Sequence, residues 1–325
     1  EGELTDTERR LRALGENEDA VRLSLVIGTT PGNDSRLYEE KIAGYRNFVN
    51  KVWNIARFVL MSSKQNESPK SKVQSLELQE KGEDFSDADD WILWELSELV
   101  TKVNRNMEAF RFSLVGEGIY DFMWHKFADW YIEAAKIEKQ DHQQALLEYV
   151  LEKCLVLLHP FVPFITEEIW QRIAPLAGVS GHTLMQQPYP IADSKAINKQ
   201  ATNEIDWFMN FILGVRRIRG EMNIAPGKPL SVLLQNGSDT DLQILESTRH
   251  FLLKLGRMES ITWLGLDEPS PESAIALIGN MKILIPMSGL INKEEEINRL
   301  EKEIQKIQKE LPRIESKLNN PNFVE

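Results

Sequence analysis

From residue 36 to residue 220 the apolar positions of the chain recur at helical spacing. In KIAGYRNFVNKVWNIARFVLMSSK (41–64) the set Ile42, Tyr45, Val49, Val52, Trp53, Ala56 and Leu60 makes one stripe. Arg46, Asn50 and Arg57 fall together on a flank of it, and Asn47, Lys51 and Asn54 on the opposite, polar side. Residues 62–90 are rich in Ser, Lys, Glu and Asp and read as a loop, with Asp87 to Asp90 offering N-caps to the next helix. That helix is predicted over 91–110, with Ile92, Leu96, Leu99, Val103 and Met107 spaced by three and four. Further helices are predicted over 115–136, over 141–158, from Pro163 in PFITEEIWQRI, and over 203–220, ending at Gly220. A shorter one starts at Asp19 and ends in the Gly/Pro/Asn turn of 28–34. Five or six helices without strands make the span 36–220 an α-helical bundle.

The pattern then changes period. PLSVLL (229–234), SITWL (260–264), AIALI (274–278) and KILIPM (282–287) are short, β-branched and separated by turn residues. Gly279-Asn280 predicts a hairpin between the last two, and a helix over 242–255 crosses between the first two. The result is a small α/β module. At the end, Ile297, Leu300, Ile304, Ile307, Leu311, Ile314 and Leu318 follow a 3-4-3-4-3-4 rhythm, a heptad seam over three repeats. Pro312 interrupts it at a cost of about 3 kcal/mol in a helix interior, so a kink is expected there. The fold class is therefore mainly α. The expected divisions are a linker over 1–35, the bundle over 36–225, the α/β module over 226–288 and a coiled-coil helix over 289–325.

Charge singles out the first long helix. The whole chain carries a formal net charge of −12, yet 41–64 holds five positive side chains (Lys41, Arg46, Lys51, Arg57 and Lys64) and no acidic one. The acidic balance argues against indiscriminate nucleic-acid binding, so DNA is not an expected partner and any RNA must be met by a local patch. Arginine offers a planar fork for phosphates and a face for stacking. Asparagines offer donor and acceptor pairs to base edges. The competing reading makes the aromatics core and the arginines merely solvated, and spacing alone leaves both open. Tyr45 and Trp53, on the apolar stripe, are assigned to the core in either case. A second basic cluster, Arg216, Arg217, Arg219 and Lys228, sits at a helix C-terminus, where the dipole favours cations whether or not RNA is near.

Other chemistry is sparse. No Gly-rich phosphate loop follows a strand, and His125, His142, His159, His182 and His250 lie without metal-ligand spacing. One cysteine, Cys154, permits no intrachain disulfide and suits a reducing cytoplasm. No apolar run reaches the roughly 18–20 residues of a membrane span, so a membrane is not an expected partner. No cofactor is expected for this segment, and the segment by itself is expected to perform no catalysis.

The strings DAVRLSLVIGTTPGND, GYRNFVNKVWNIARFVL, DFMWHKFADWYIEAAK, LLHPFVPFITEEIWQ and IRGEMNIAPGKPLSVLL, in this order, resemble the C-terminal half of bacterial valine–tRNA ligase. The resemblance runs from about Asp19 to Glu325; residues 1–18 do not share it and read as a divergent linker. It implies a helical anticodon-binding domain, a small α/β linker module and a C-terminal helical hairpin of which the first helix is present. It implies valine tRNA as partner. It also implies ATP and Mg as requirements of a catalytic domain that lies outside this sequence, since neither His-Ile-Gly-His nor Lys-Met-Ser-Lys-Ser occurs here. The start at Glu1 rather than Met fits a fragment of the parent enzyme. Arg46, Asn47, Lys51 and Arg57 match the family's pattern on the anticodon-side helix, and Arg216, Arg217 and Arg219 match a basic helix end facing tRNA. Trp124, Phe127, Trp130 and Tyr131 match a motif that packs the bundle helices together. A seam without its second helix invites self-association. A helical and coiled-coil protein-interaction module without RNA binding is the alternative.

Overall fold

The computed structural model describes residues 18–29, 32, 37–65, 85–138, 142–176, 178–192, 199–265 and 268–288, with 301, 304, 305, 307–312 and 314 near the end. Residues 1–17, 30–31 and 33–35 of the linker expected over 1–35, and residues 66–84 of the loop expected over 62–90, lie outside the described residues. The chain divides into two compact units, Glu1–Ile205 and Asp206–Glu325.

The first unit is helical. Helix α1 (Glu18–Val26) is followed by the 27-residue α2 (Glu39–Gln65), then α3 (Asp87–Glu108). Next, α4 (Phe112–Asp121), a π-helical stretch (Phe122–Tyr131) and α5 (Ile132–Glu138) run on without a break. Helices α6 (Gln143–Leu158) and α7 (Pro163–Ile173) complete the bundle. Helix α6 is hydrophobic nearly all round and buried on most of its faces, so it is the central helix. It packs against α2, α3, α4 and α7.

Ser86, one residue before the expected aspartates, caps α3. Its hydroxyl accepts from the Asp89 N–H, and the Asp89 carboxylate accepts from the Ser86 backbone in return, a reciprocal capping box. The aspartates then lie in the first helical turn, where the dipole favours them. Asp89 is fully buried and also accepts from the Tyr131 hydroxyl at 2.6 Å and pairs with His142 Nε2 at 2.9 Å. Burial pushes its carboxyl up, but the bonds from His142, Tyr131 and Ser86 outweigh that and hold it below the ordinary carboxylate range.

The π-helical stretch carries the aromatic motif. An N–H from Ile132 reaches the Phe127 carbonyl five residues back. The wider turn aligns side chains five apart, so Phe122 and Phe127 stack at 6.5 Å and 14°. Phe127 and Tyr131 are buried, Trp124 and Trp130 half-buried, which places the motif in the packing between helices.

The turn between α6 and α7 is held from the far end of the sequence. The Asp19 carboxylate accepts from the N–H groups of Phe164 at 3.3 Å and Ile165 at 2.8 Å, capping α7, which has no side-chain cap of its own. Arg22 donates to the carbonyls of Phe161 and Pro160. Gly116 on α4 lets α1 come close, because a Cβ there would sit 2.6 Å from Ile27. Helix α1, expected in the linker, is thus packed into the bundle.

The second unit contains the greater part of α8 (Lys199–Glu221), and then β1 (Leu230–Gln235), α9 (Asp239–Leu255), β2 (Met258–Trp263), β3 (Ser273–Ile278) and β4 (Met281–Pro286). The sheet order is β2-β1-β4-β3, with β1 and β2 parallel around the α9 crossover and the other pairs antiparallel. The β3–β4 hairpin turns through Gly279-Asn280, with Gly279 at a φ of 54°. Side chains of α8 pack within this unit. Trp207 Nε1 donates to Asp241 at 2.7 Å, Phe208 meets Phe251, and Gly214 lies against Ala276 and Ile283. In the final segment the described residues are helical, Pro312 included. Ile304, Ile307, Leu311 and Ile314 are exposed there. The other seam positions, Ile297, Leu300 and Leu318, lie outside the described residues, and so does residue 313 next to the expected kink.

Candidate RNA interface

Helix α2 buries Ile42, Phe48, Val49, Val52, Ile55, Ala56 and Val59. The apolar sector of this helix is broader than one stripe, and its centre lies on the side of Phe48, Ile55 and Val59. This corrects the sequence reading for two aromatics. Tyr45 is half-buried, and Trp53 is 38% exposed. Rotation of the buried face turns Asn47, Asn50, Asn54 and Arg57 outward as one exposed polar strip. Arg46 is half-buried at its edge. Arg57 and the three asparagines carry no hydrogen bond or ion pair among the described residues.

Lys51 leaves this strip. Its ammonium lies 3.0 Å from the Asp129 carboxylate of the π-helical stretch and 5.4 Å from the centre of the Trp124 ring. His125 approaches the same carboxylate at 3.7 Å. A cation so placed helps to hold α2 to its neighbour. Its alternation with asparagines gave no hint of this, because Asp129 is 78 residues away.

Across from Trp53 stands Arg172 of α7, which sequence reasoning did not select. Its guanidinium carbon sits 5.4 Å from the Trp53 ring centre, and the guanidinium also pairs with Glu168 one turn earlier. Trp53, Arg57, Met61, Ile169 and Arg172 line a cleft of about 190 Å³. No local pattern could have joined residues 53 and 172, which meet only once α2 and α7 pack.

The basic cluster of the second unit separates into three roles. Arg216 is exposed. Arg217 is exposed and lies 3.9 Å from Glu221, a surface pair of small energetic weight. Arg219 is buried. Its guanidinium donates to four backbone carbonyls: Ala225 (3.3 Å), Lys228 (2.8 Å), Gly256 (3.1 Å) and Arg257 (3.0 Å). Burial, and then the neighbouring Arg257 cation, hold its pKa below the ordinary value. Arg219 is therefore a clasp joining the loop before β1 to the loop before β2, and it has no fork left for a phosphate. Among the described residues no group of three His, Cys, Asp or Glu side chains is placed to hold a metal ion, and no helix is long and apolar enough to cross a membrane.

Comparison with known proteins adds two family matches. Residues 89–234, from α3 into β1, match the anticodon-binding domain of tRNA ligase. Residues 292–325 match the valyl tRNA synthetase tRNA binding arm. A solved LeuRS, from the LeuRS–tRNA–LeuAMS ternary complex of Agrobacterium radiobacter K84, aligns at 16% identity and a TM-score of 0.45. The alignment covers 85% of this chain and 29% of that one. The chain spans less than a third of that synthetase. With an anticodon-binding domain and a tRNA-binding arm in one polypeptide, the chain belongs to the aminoacyl-tRNA synthetases and serves tRNA recognition. More particularly, it corresponds to the C-terminal part of a valyl-tRNA synthetase-like protein.

Proposed function

We propose that the chain binds valine tRNA by its anticodon arm and presents it for ATP-dependent aminoacylation by a catalytic domain of the parent valine–tRNA ligase. The carrying observation is the exposed strip of Asn47, Asn50, Asn54 and Arg57 on a helix without acidic neighbours over 41–64, in a chain of net charge −12. Arg46 at its edge and Arg216 and Arg217 in the second unit add cations for the phosphate backbone. ATP and Mg belong to the catalytic domain, this segment needs no cofactor and does not catalyse alone, and the parent works in the cytoplasm. The exposed Ile304, Ile307, Leu311 and Ile314 support a second property, self-association through the arm.

Filter binding of the whole chain to valine tRNA, and to the same transcript with a changed anticodon, tests the reading. The cognate tRNA should bind more tightly by about tenfold, or 1.4 kcal/mol. Affinity should fall with salt, and Arg57→Glu should weaken binding and lower the salt slope by about one. Equal affinity for both transcripts refutes anticodon reading.

A further inference from the structure

We propose that β3 is a pairing edge whose occupant is the β3 strand of a second copy of this chain, joined antiparallel about a two-fold axis at Ala276. This pairing goes beyond the self-association proposed for the arm and does not depend on tRNA. Three observations carry it.

The first is an unguarded edge. β3 ends the sheet order β2-β1-β4-β3, so among the described residues no strand lies on its outer side. The Met287 N–H donates to the Glu272 carbonyl, and an antiparallel ladder alternates. The N–H and C=O groups of Ser273, Ile275 and Leu277 therefore point away from β4. Pro286, which has no N–H to give, stands opposite Ser273, as this alternation requires. Sheet edges are ordinarily blunted by a charge, a proline or a bulge. The run SAIALI (273–278) has neither charge nor proline and keeps an unbroken register with β4. The other edge strand, β2, exposes Glu259 and Thr262 instead.

The second is an apolar face that complements itself. Ile275 and Leu277 are 56% and 62% exposed, and Ile275 continues a row with Leu284 and Leu233 on the face away from α8. With Ala276 on the axis, Ile275 faces the second copy's Leu277, and Leu277 faces its Ile275. The four side chains then cover one another on one face, and the outward backbone groups of the same residues close N–H···O=C bonds. A one-residue slip sets outward groups against inward ones and loses both. The third is charge. Helix α8 lies against β3 at Gly214 and Ala276, and its exposed Arg217 borders a hollow of about 390 Å³ beside Leu277, Ile278 and Gly279. In the same register the second copy's exposed Glu272 comes opposite Asn280, next to Gly279 and on the α8 side of the sheet. Symmetry repeats this approach of Glu272 to Arg217 at the other end. Two edge strands alone are marginal. Association of the arms raises their local concentration and gives the pairing its weight at equilibrium.

Disulfide trapping on the whole chain tests the register. Ile275→Cys and Leu277→Cys are made separately, mixed and mildly oxidised; the native Cys154 is buried and takes no part. Facing residues of a hydrogen-bonded pair have Cα atoms about 5.5 Å apart, within the range a disulfide spans. On a non-reducing gel the mixture should give at least about fivefold more covalent dimer than either variant alone, whose cysteines lie on a diagonal. Ile275→Lys should raise the dissociation constant read by light scattering about tenfold, since a lysine blunts the edge. Arg217→Glu and Glu272→Arg should each weaken association, and the double variant should restore it. If the chain associates but the mixture cross-links no better than the single variants, strand pairing is wrong while the arm's association stands. Trapping of the mixture in a chain that scatters as a monomer keeps the pairing and removes the arm. A monomeric chain whose mixture is not trapped overturns both.

Discussion

Replacing Arg219 by Met separates a structural cation from an RNA-binding one. Methionine retains most of the aliphatic stem and removes all the donors, so the four carbonyls of the clasp lose their partner together. Three of those bonds are partly open to water, and their acceptors can be rehydrated at small net cost. The fourth, to the Gly256 carbonyl, is buried, and that oxygen is left unsatisfied. An orphaned buried acceptor costs about 1–3 kcal/mol. Relief of the repulsion from Arg257 offsets part of this, which favours the lower half of the range. A single melting temperature is poorly defined for a chain of two units. Amide hydrogen exchange at Val232 and Leu234, in the middle of β1, is the suitable assay. Exchange there should accelerate by about 5- to 150-fold, the equivalent of 1–3 kcal/mol. Affinity for tRNA should stay within about twofold at a temperature where the variant is folded. Unchanged exchange with a tenfold loss of tRNA affinity would falsify the clasp and return Arg219 to the RNA surface.

Two further outcomes follow from side chains already placed. The Thr166 hydroxyl gives its proton to the Val162 carbonyl at 2.7 Å, so His159 Nδ1 must donate to Thr166 at 2.8 Å. Its Nε2 is left bare and buried. Burial pushes the His159 pKa below 6.5, against the pull of Glu167 and Asp19. The stabilisation is full above about pH 6.5 and is lost as pH falls through the lowered value. The urea midpoint should therefore drop as pH falls below about 6.5, and His159→Gln should flatten that slope; parallel slopes would rule out His159 as the source. For the arm, light scattering at rising protein concentration should show association that Leu311→Glu abolishes. Each half-exposed seam side chain contributes about 1 kcal/mol on burial, and a chain monomeric at every concentration removes the self-association proposal.

Local pattern carried most of the secondary structure. The β3–β4 hairpin was legible at Gly279-Asn280, and the four strands lie close to where their β-branched runs put them. What the pattern could not carry was whatever depends on a distant partner. On α2 the apolar positions span too wide a sector for spacing to choose its centre, so Trp53 was given to the core and Phe48, Ile55 and Val59 were left out of the stripe. Lys51 looked like its neighbours in sequence, and Asp129 made it different. Arg219 shared a basic cluster with Arg216 and Arg217, but its burial follows from loops that meet only when β1 and β2 pair. The π-helical stretch over 122–131 left no periodic mark that a helix of ordinary pitch would lack. The basic helix was thus recognisable from charge, and the residues on its open face only from packing.

The cap that Asp19 places on α7 has a bearing on how the protein is made. Its acceptor oxygens and the amides they receive are separated by 145 and 146 positions along the chain. During synthesis α1 leaves the ribosome long before Phe164 and Ile165 exist, and until then its aspartate and Arg22 have nothing to hold. Closing so long a loop is slow compared with forming a helix. The first unit therefore completes this cap only when its last helix has been made, although α1 can pack on α2, the next helix in sequence, long before. At about 5–20 residues per second that interval is roughly 7–30 seconds. During it α1 has α2, and then α4, to pack against and lacks only its contact with α7. The Asp19 cap is thus a late contact, added to a helix pair that local sequence already brings together.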